Sequence, residues 1–273
     1  MNPGLTSQFP PLTLGMQGRI FLRTLCFQSV WNFERMQNVG FLFCLWPVLS
    51  KVWSTKTELR EAAERHLEHF NTQPYMGSFA VGATARLEQQ AAQTGVTAKT
   101  LHRLNQVKQT LGPALAGIGD ALFWGTLRPF SAGLLLCVWG LAWRTEGKVA
   151  TIPAEGWVLA GIGVYLVAYN AFGLWVRWKG LSWGYQWGES IGTELLRIPW
   201  QRWIRRLRKI GFVVGILAGT WWLVNLHGRS GIELSQALSI TFLLVCLKWR
   251  EWRTQTLLGV MFGGAFLLQV FTR

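Results

Sequence analysis

The sequence predicts an all-α, polytopic integral membrane protein. Amphipathic and broken or re-entrant helices are expected in its N-terminal half, and about five transmembrane segments in its C-terminal half. Three observations carry that expectation. Half of the 273 residues are hydrophobic and they cluster in runs, of which residues 157–176 reach full spanning length unaided. The basic excess, a net charge of +14, is weighted toward two stretches between such runs, 177–209 and 248–253, as in cytoplasmic loops facing anionic lipid. Residues 111–129, LGPALAGIGDALFWGTLRP, are apolar enough to enter a membrane, yet hold Gly112, Gly117, Gly119, Gly125, Pro113 and the acid Asp120. Irregular backbone at membrane depth survives only where protein or a watery cavity satisfies it, and an acid there is costly unless paired or hydrated. The structural alternative is that the glycines allow close helix packing and Asp120 caps an interface.

Taken in order, residues 1–15 are Pro-, Gly- and Thr-rich and read as a flexible tail. Residues 17–50 end in an apolar stretch too short for a confident span and interrupted by Pro47, which suits an interfacial or re-entrant helix. Thr55 and Glu58 have capping-box spacing. Leu59, Ala62, Ala63, His66, Leu67 and Phe70 then recur at helical spacing, predicting an amphipathic helix that Pro74 ends or kinks. Asn71, Thr72 and Gln73 stand at that break, where three uncharged hydrogen-bonding side chains suit a polyol; Asn and Thr also simply cap and turn. Leu101, Leu104, Val107 and Leu111 mark a second amphipathic helix feeding the glycine-rich segment.

The C-terminal half reads as spans near 129–143, 157–176, 210–226, 234–249 and 257–272. Trp175, Trp178, Trp200, Trp203, Trp249 and Trp252 stand near run ends, as an aromatic belt does. Within the basic loop, residues 199–209 predict an interfacial helix with Trp200, Trp203, Ile204 and Leu207 dipping into lipid. With all five runs crossing, the basic loops and the N-terminus fall in the cytoplasm and the C-terminus outside.

Other classes find little support. No nucleic-acid motif accompanies the charge. The four cysteines are scattered, without a CxxC pair, and indicate neither a disulfide framework nor a metal knuckle. The first 18 residues hold no Lys or Arg ahead of an apolar core, so no cleavable signal peptide is expected. His66 and His69 share a helix face with Glu68 nearby, but no third ligand follows at a recognised spacing and HExxH is absent. Neither GxSxG, a Walker loop nor GxGxxG occurs, so an independent membrane enzyme using Asp120 and a histidine is poorly supported. No metal, cofactor or nucleic acid is expected.

Three segments are specific when taken together: FQSVWNFERMQNVGF (27–41), RHLEHFNTQPY (65–75) and LGPALAGIGDALFWGTLRP (111–129). They closely resemble, in order and spacing, the IID component of the mannose/fructose/sorbose family of bacterial phosphoenolpyruvate:sugar phosphotransferase systems. RWKGLSWGYQWG (177–188) resembles that family's aromatic and glycine-rich segment. The likeness spans about residues 15–273, giving a tail of 1–15 and a membrane domain of 16–273. Within that domain the motif-bearing helices occupy 16–128 and the transmembrane helices 129–273.

The resemblance implies a multi-pass subunit of the bacterial cytoplasmic membrane that pairs with a IIC subunit to form a hexose channel, within a trimeric IIC–IID assembly. Cytoplasmic IIAB phosphocarriers phosphorylate the sugar, and IID carries no phosphohistidine and is not itself an enzyme. The charged product no longer fits the site, which makes import one-way. Carried onto this chain, the NFERMQ motif falls on residues 32–37, NTQP on 71–74 and the glycine-rich motif on 112–120. Asn71 and Gln73, with Thr72, are the implied sugar contacts. Glu34 and Arg35 are implied as a structural or interface pair, while Gln37, Gly117 and Gly119 lie near the sugar path or IIC. Asp120 is implied as a polar anchor near the IIC contact. Ala121 stands where the family usually has proline, His69 for an aromatic and Ala114 for leucine. The rival reading is a regulatory remnant of an incomplete phosphotransferase system that moves no sugar.

Overall fold

The computed structural model describes residues 12–145 and 154–230, and these are helical with short connections. The elements are α1 (Leu14–Thr24), α2 (Asn38–Val52), α3 (Lys56–Glu64), α4 (Gly77–Thr94), α5 (Ala98–Gly119), a π-helical segment (Asp120–Leu127), α6 (Arg128–Thr145), α7 (Ala154–Trp187), a 3₁₀ turn (Gly188–Ser190), α8 (Ile191–Arg197) and α9 (Trp200–Ser230). Local chemistry starts several of them. Thr13, Thr55 and Thr97 each accept a backbone N–H of the first turn, and Thr55 with Glu58 forms the expected capping box.

Among the described residues, two helical stretches, Ala98–Gly140 and Glu155–Arg197, are long and apolar enough to cross a membrane. Each has 43 residues, more than the about 20 that one crossing needs. The expected runs at 129–143 and 157–176 lie on α6 and α7. The run at 210–226 lies on α9, which is not among the two long apolar stretches. Those at 234–249 and 257–272 lie outside the described residues, as does most of the expected tail.

Four local expectations are corrected. Residues 111–129 do not form a broken or re-entrant segment, because α5 runs through the π-helical segment into α6 without interruption. Pro129 lacks an N–H and its ring crowds the carbonyl four residues back; the wider π turns relieve that clash, with Arg128 N–H reaching Phe123 O, five residues away. Pro47 does not interrupt α2 either. The carbonyl it leaves without a helical donor, Phe43 O, accepts from Arg23 Nη1 at 2.9 Å. Helix α3 stops at Glu64 rather than at Pro74. Finally, residues 199–209 are no separate interfacial helix but the start of α9, with Trp200 and Ile204 buried in protein.

The chain divides into two compact units. The first comprises Met1–Arg128 with Val167–Arg206. Its core is a ring cluster of Phe27, Phe41 and Phe70, with Phe41 and Phe70 centroids 4.5 Å apart. Helix α4 lies against the end of α7 at van der Waals range: a Cβ on Gly184 would fall 2.2 Å from Phe79 O, and one on Gly82 2.3 Å from Leu181 O. Gly180, Gly184 and Gly188, four residues apart, make this the small-residue packing that membrane helices use. In the second unit, Pro129–Leu166 with Leu207–Arg273, Trp139 lies over Gly161 and donates to Val158 O at 3.2 Å. Leu159 on α7 is 68% exposed, as a lipid-facing side chain is.

Candidate functional site

The NFERMQ, NTQP and glycine-rich motifs, distant in sequence, meet in the first unit. Asn32 and Met36 exchange backbone hydrogen bonds at 3.1 and 3.0 Å, closing a tight turn in which Met36 has φ 58°. Asn32 Oδ1 accepts from Arg35 N at 2.7 Å and its Nδ2 donates to Asn38 Oδ1 at 3.1 Å. The turn then pairs with the residue just before NTQP, since Gln37 N donates to Phe70 O at 2.8 Å. Buried Gln37 completes the join with its side chain: Nε2 donates to Thr72 O at 2.8 Å and Oε1 accepts from Thr72 N at 2.9 Å. One carboxamide thus satisfies both backbone groups of a buried loop residue.

Helix α5 closes the other side. Gly112 and Gly119 are two turns apart on one face, and both meet the loop. A Cβ on Gly112 would lie 2.9 Å from Asn71 O, and one on Gly119 2.5 Å from Gln73 Cβ. Gly117 faces open space, with nothing within 4 Å. Asp120, the first residue of the π-helical segment, is exposed.

The three implied sugar contacts are placed differently. The Asn71 side chain is exposed and makes no hydrogen bond among the described residues. Thr72 is buried with its hydroxyl unpartnered. Gln73 is buried; its Oε1 accepts from Tyr75 N and Met76 N at 2.8 and 3.1 Å, capping the approach to α4, while Nε2 has no partner. Glu34 and Arg35 are both exposed and form no ion pair with each other; Arg35 Nη1 donates to Leu67 O at 3.3 Å. Tyr75 extends the site inward, stacked on Phe123 at 4.5 Å and lying 4.6 Å beneath the buried Arg177 guanidinium, which also bonds Thr24 O.

A second feature escaped the sequence reading. The Glu88 carboxylate on α4 is fully buried and accepts four bonds: from Trp53 Nε1 at 2.9 Å, Arg65 Nε and Nη2 at 2.8 and 2.6 Å, and His66 at 2.8 Å. Burial opposes charge on Glu88, but the hydrogen bonds from Arg65 and His66 outweigh it and hold the pKa at about 2. Burial also lowers the His66 pKa against the attraction of Glu88. The His66 ring sets Nε2 on the Glu88 carboxylate and leaves its buried Nδ1 unpartnered. Lys108 of α5 donates to Arg65 O at 2.9 Å. The cluster anchors the 65–66 turn five residues before Asn71. Its one sequence signal is that Glu88 prolongs the buried face of α4 through Ala91.

Helices long and apolar enough to span a membrane, with one polar loop joined by distant motifs, are the features of a helical membrane protein. The family model for the PTS system mannose/fructose/sorbose family IID component matches residues 12–272, and the chain belongs to that family. It is a membrane subunit of a sugar phosphotransferase system. It is 34% identical over 209 residues to the mannose-specific EIID component of Escherichia coli K12, covering 76% of this chain and 68% of that one. The fructose permease IID component of Bacillus subtilis is 30% identical over 209 residues, 76% and 70% of the two chains. The sorbose-specific EIID component of Klebsiella pneumoniae is 30% identical over 215 residues, 78% and 72%. Among solved structures, a chain of the mannose transporter ManYZ in complex with microcin E492 is similar with a TM-score of 0.54 and 26% identity, covering 95% of each chain. A structure described only as a membrane protein gives 0.65 and 27%, covering 95% and 96%.

Proposed function

We propose that this chain, paired with a IIC subunit, forms the membrane path through which a hexose of the mannose, fructose or sorbose type is imported, with phosphorylation carried out by IIB. The observation that carries this reading is Asn71: a free, exposed carboxamide next to Thr72, whose backbone Gln37 binds on both sides, and packed against Gly112. A carboxamide offers donors and an acceptor to neighbouring sugar hydroxyls, and a clamped backbone removes the ordering cost of binding. The unpartnered Thr72 hydroxyl and Gln73 Nε2 add hydrogen-bonding capacity beside it. Glu34, Arg35, Gly117 and Asp120, all exposed in the single chain, belong to the IIC contact or the path beside it. The assembly is a trimer of IIC–IID pairs, with the N-terminus and the basic stretch 177–209 cytoplasmic, because that side gathers Lys and Arg.

The test is purification of the tagged chain from native membranes in mild detergent, with mass spectrometry of what accompanies it. A stoichiometric IIC subunit, with IIAB at lower occupancy, is expected. A preparation without IIC overturns the channel reading in favour of a regulatory remnant.

A further inference from the structure

The cationic start of α9 carries none of the three family motifs, and its arrangement is unfavourable for the helix by itself. Residues 198–209 contain five basic residues and no acid. Four of them, Arg202, Arg205, Arg206 and Lys209, stand at i, i+3, i+4 and i+7, so they form one stripe along the helix. All four are exposed, and none makes an ion pair among the described residues; the nearest acid in sequence, Glu194, is taken by Arg197. Like charges at these spacings repel, and cations in the first turns oppose the helix dipole. Both costs are relieved when anions lie along the stripe.

The other face of this segment is already occupied. Trp200 and Ile204 are buried, and Trp200 Nε1 donates to Leu195 O at 3.1 Å while its ring meets Phe79 edge-on. The apolar side therefore packs on protein, leaving the cationic stripe outward. Farther along the same helix face, four and eight residues past Lys209, Val213 and Leu217 are 53% and 62% exposed. Along α9 itself the stripe passes from cationic to apolar within about one turn, the order of headgroup and acyl chain in a leaflet. An acidic protein surface would match the cations but not their apolar continuation.

We propose that Arg202, Arg205, Arg206 and Lys209 form a binding site for anionic phospholipid headgroups, with the acyl chains along Val213 and Leu217. The site depends on membrane residence alone, not on the sugar path or on which leaflet the stripe faces.

The test uses the full chain purified in mild detergent, offered phosphatidylglycerol or phosphatidylcholine, with native mass spectrometry of the retained lipid. A basic residue near an anionic surface favours binding about fivefold, so the parent is expected to retain phosphatidylglycerol at least tenfold over phosphatidylcholine. Replacing all four residues with Gln should reduce that preference to about twofold. Lys56→Gln with Arg60→Gln, on exposed α3, should leave it unchanged. A parent without preference, or a quadruple variant that keeps it, overturns the proposal. Should the quadruple variant not fold, photo-crosslinking of the parent with a phosphatidylglycerol analogue decides: adducts within residues 200–217 support the site, and adducts only elsewhere overturn it.

Discussion

Glu88→Ala is the sharpest probe of the fold, because it removes the fully buried carboxylate at the centre of a polar cluster. The carboxylate accepts from Trp53, twice from Arg65, and from His66, all within 2.9 Å. Deleting it leaves a guanidinium with 14% side-chain exposure without its counter-charge, together with orphaned Trp and His donors. Breaking a buried pair from one side costs about 3–5 kcal/mol. For a chain of this size, each kcal/mol moves the melting temperature by roughly 2–4 °C, so a drop of about 6–20 °C is expected. Thermal unfolding in detergent, followed by tryptophan fluorescence, measures it. The parent should also be acid-sensitive in two stages. His66 has a lowered folded pKa, so its contribution is present above the unfolded value of 6.5 and declines as pH falls below it. Glu88, at about 2 against 4.5 unfolded, contributes about 3 kcal/mol above pH 4.5, which is lost as pH falls from 4.5 toward 2. Glu88→Ala should lose the second stage. A variant melting within about 3 °C of the parent, with the same acid profile, would refute the role given to the cluster.

Two glycines two residues apart should answer oppositely to the same change. Gly117→Ala meets open space and should stabilise the helix by up to about 1 kcal/mol, whereas Gly119→Ala drives its methyl into Gln73 and should cost about 1–3 kcal/mol, both read as melting shifts. Equal shifts would contradict the packing of α5 on the 71–73 loop. Gln37→Leu strands both backbone groups of buried Thr72, a loss of about 2–5 kcal/mol; a melt unchanged from the parent would rule out the clamp.

Features set by near neighbours were legible in the sequence. The Thr55–Glu58 capping box needs only four residues and is present as expected. The end of α3 was not, because Leu67 and Phe70 prolong the helical spacing while the backbone already turns; what buries His66 there is Glu88, 22 residues away. The glycine-rich stretch was misjudged for a related reason. A glycine that breaks a helix and one that admits a close neighbour look alike until the neighbour is placed; Gly112, against the Asn71 backbone, and Gly119, against the Gln73 side chain, are of the second kind. The motifs themselves were visible, but the chemistry joining them was not, since Gln37 reaches Thr72 across 35 residues. Likewise, Trp200 and Ile204 have the pattern of an interfacial helix, and periodicity cannot distinguish lipid from protein as the surface they cover.

The central claim is that this chain supports sugar import through the face bearing Asn71. Its most direct test is the initial rate of phosphoenolpyruvate-dependent hexose uptake in cells lacking their own mannose-family permease and supplied with the cognate IIC and IIAB. The chain should confer uptake on those cells. Asn71→Ala, which removes an exposed side chain with no internal bonds, should lower the rate at least about tenfold while melting and IIC co-purification stay unchanged. Uptake that proceeds equally with the parent, with Asn71→Ala or with no IID chain at all would contradict the account.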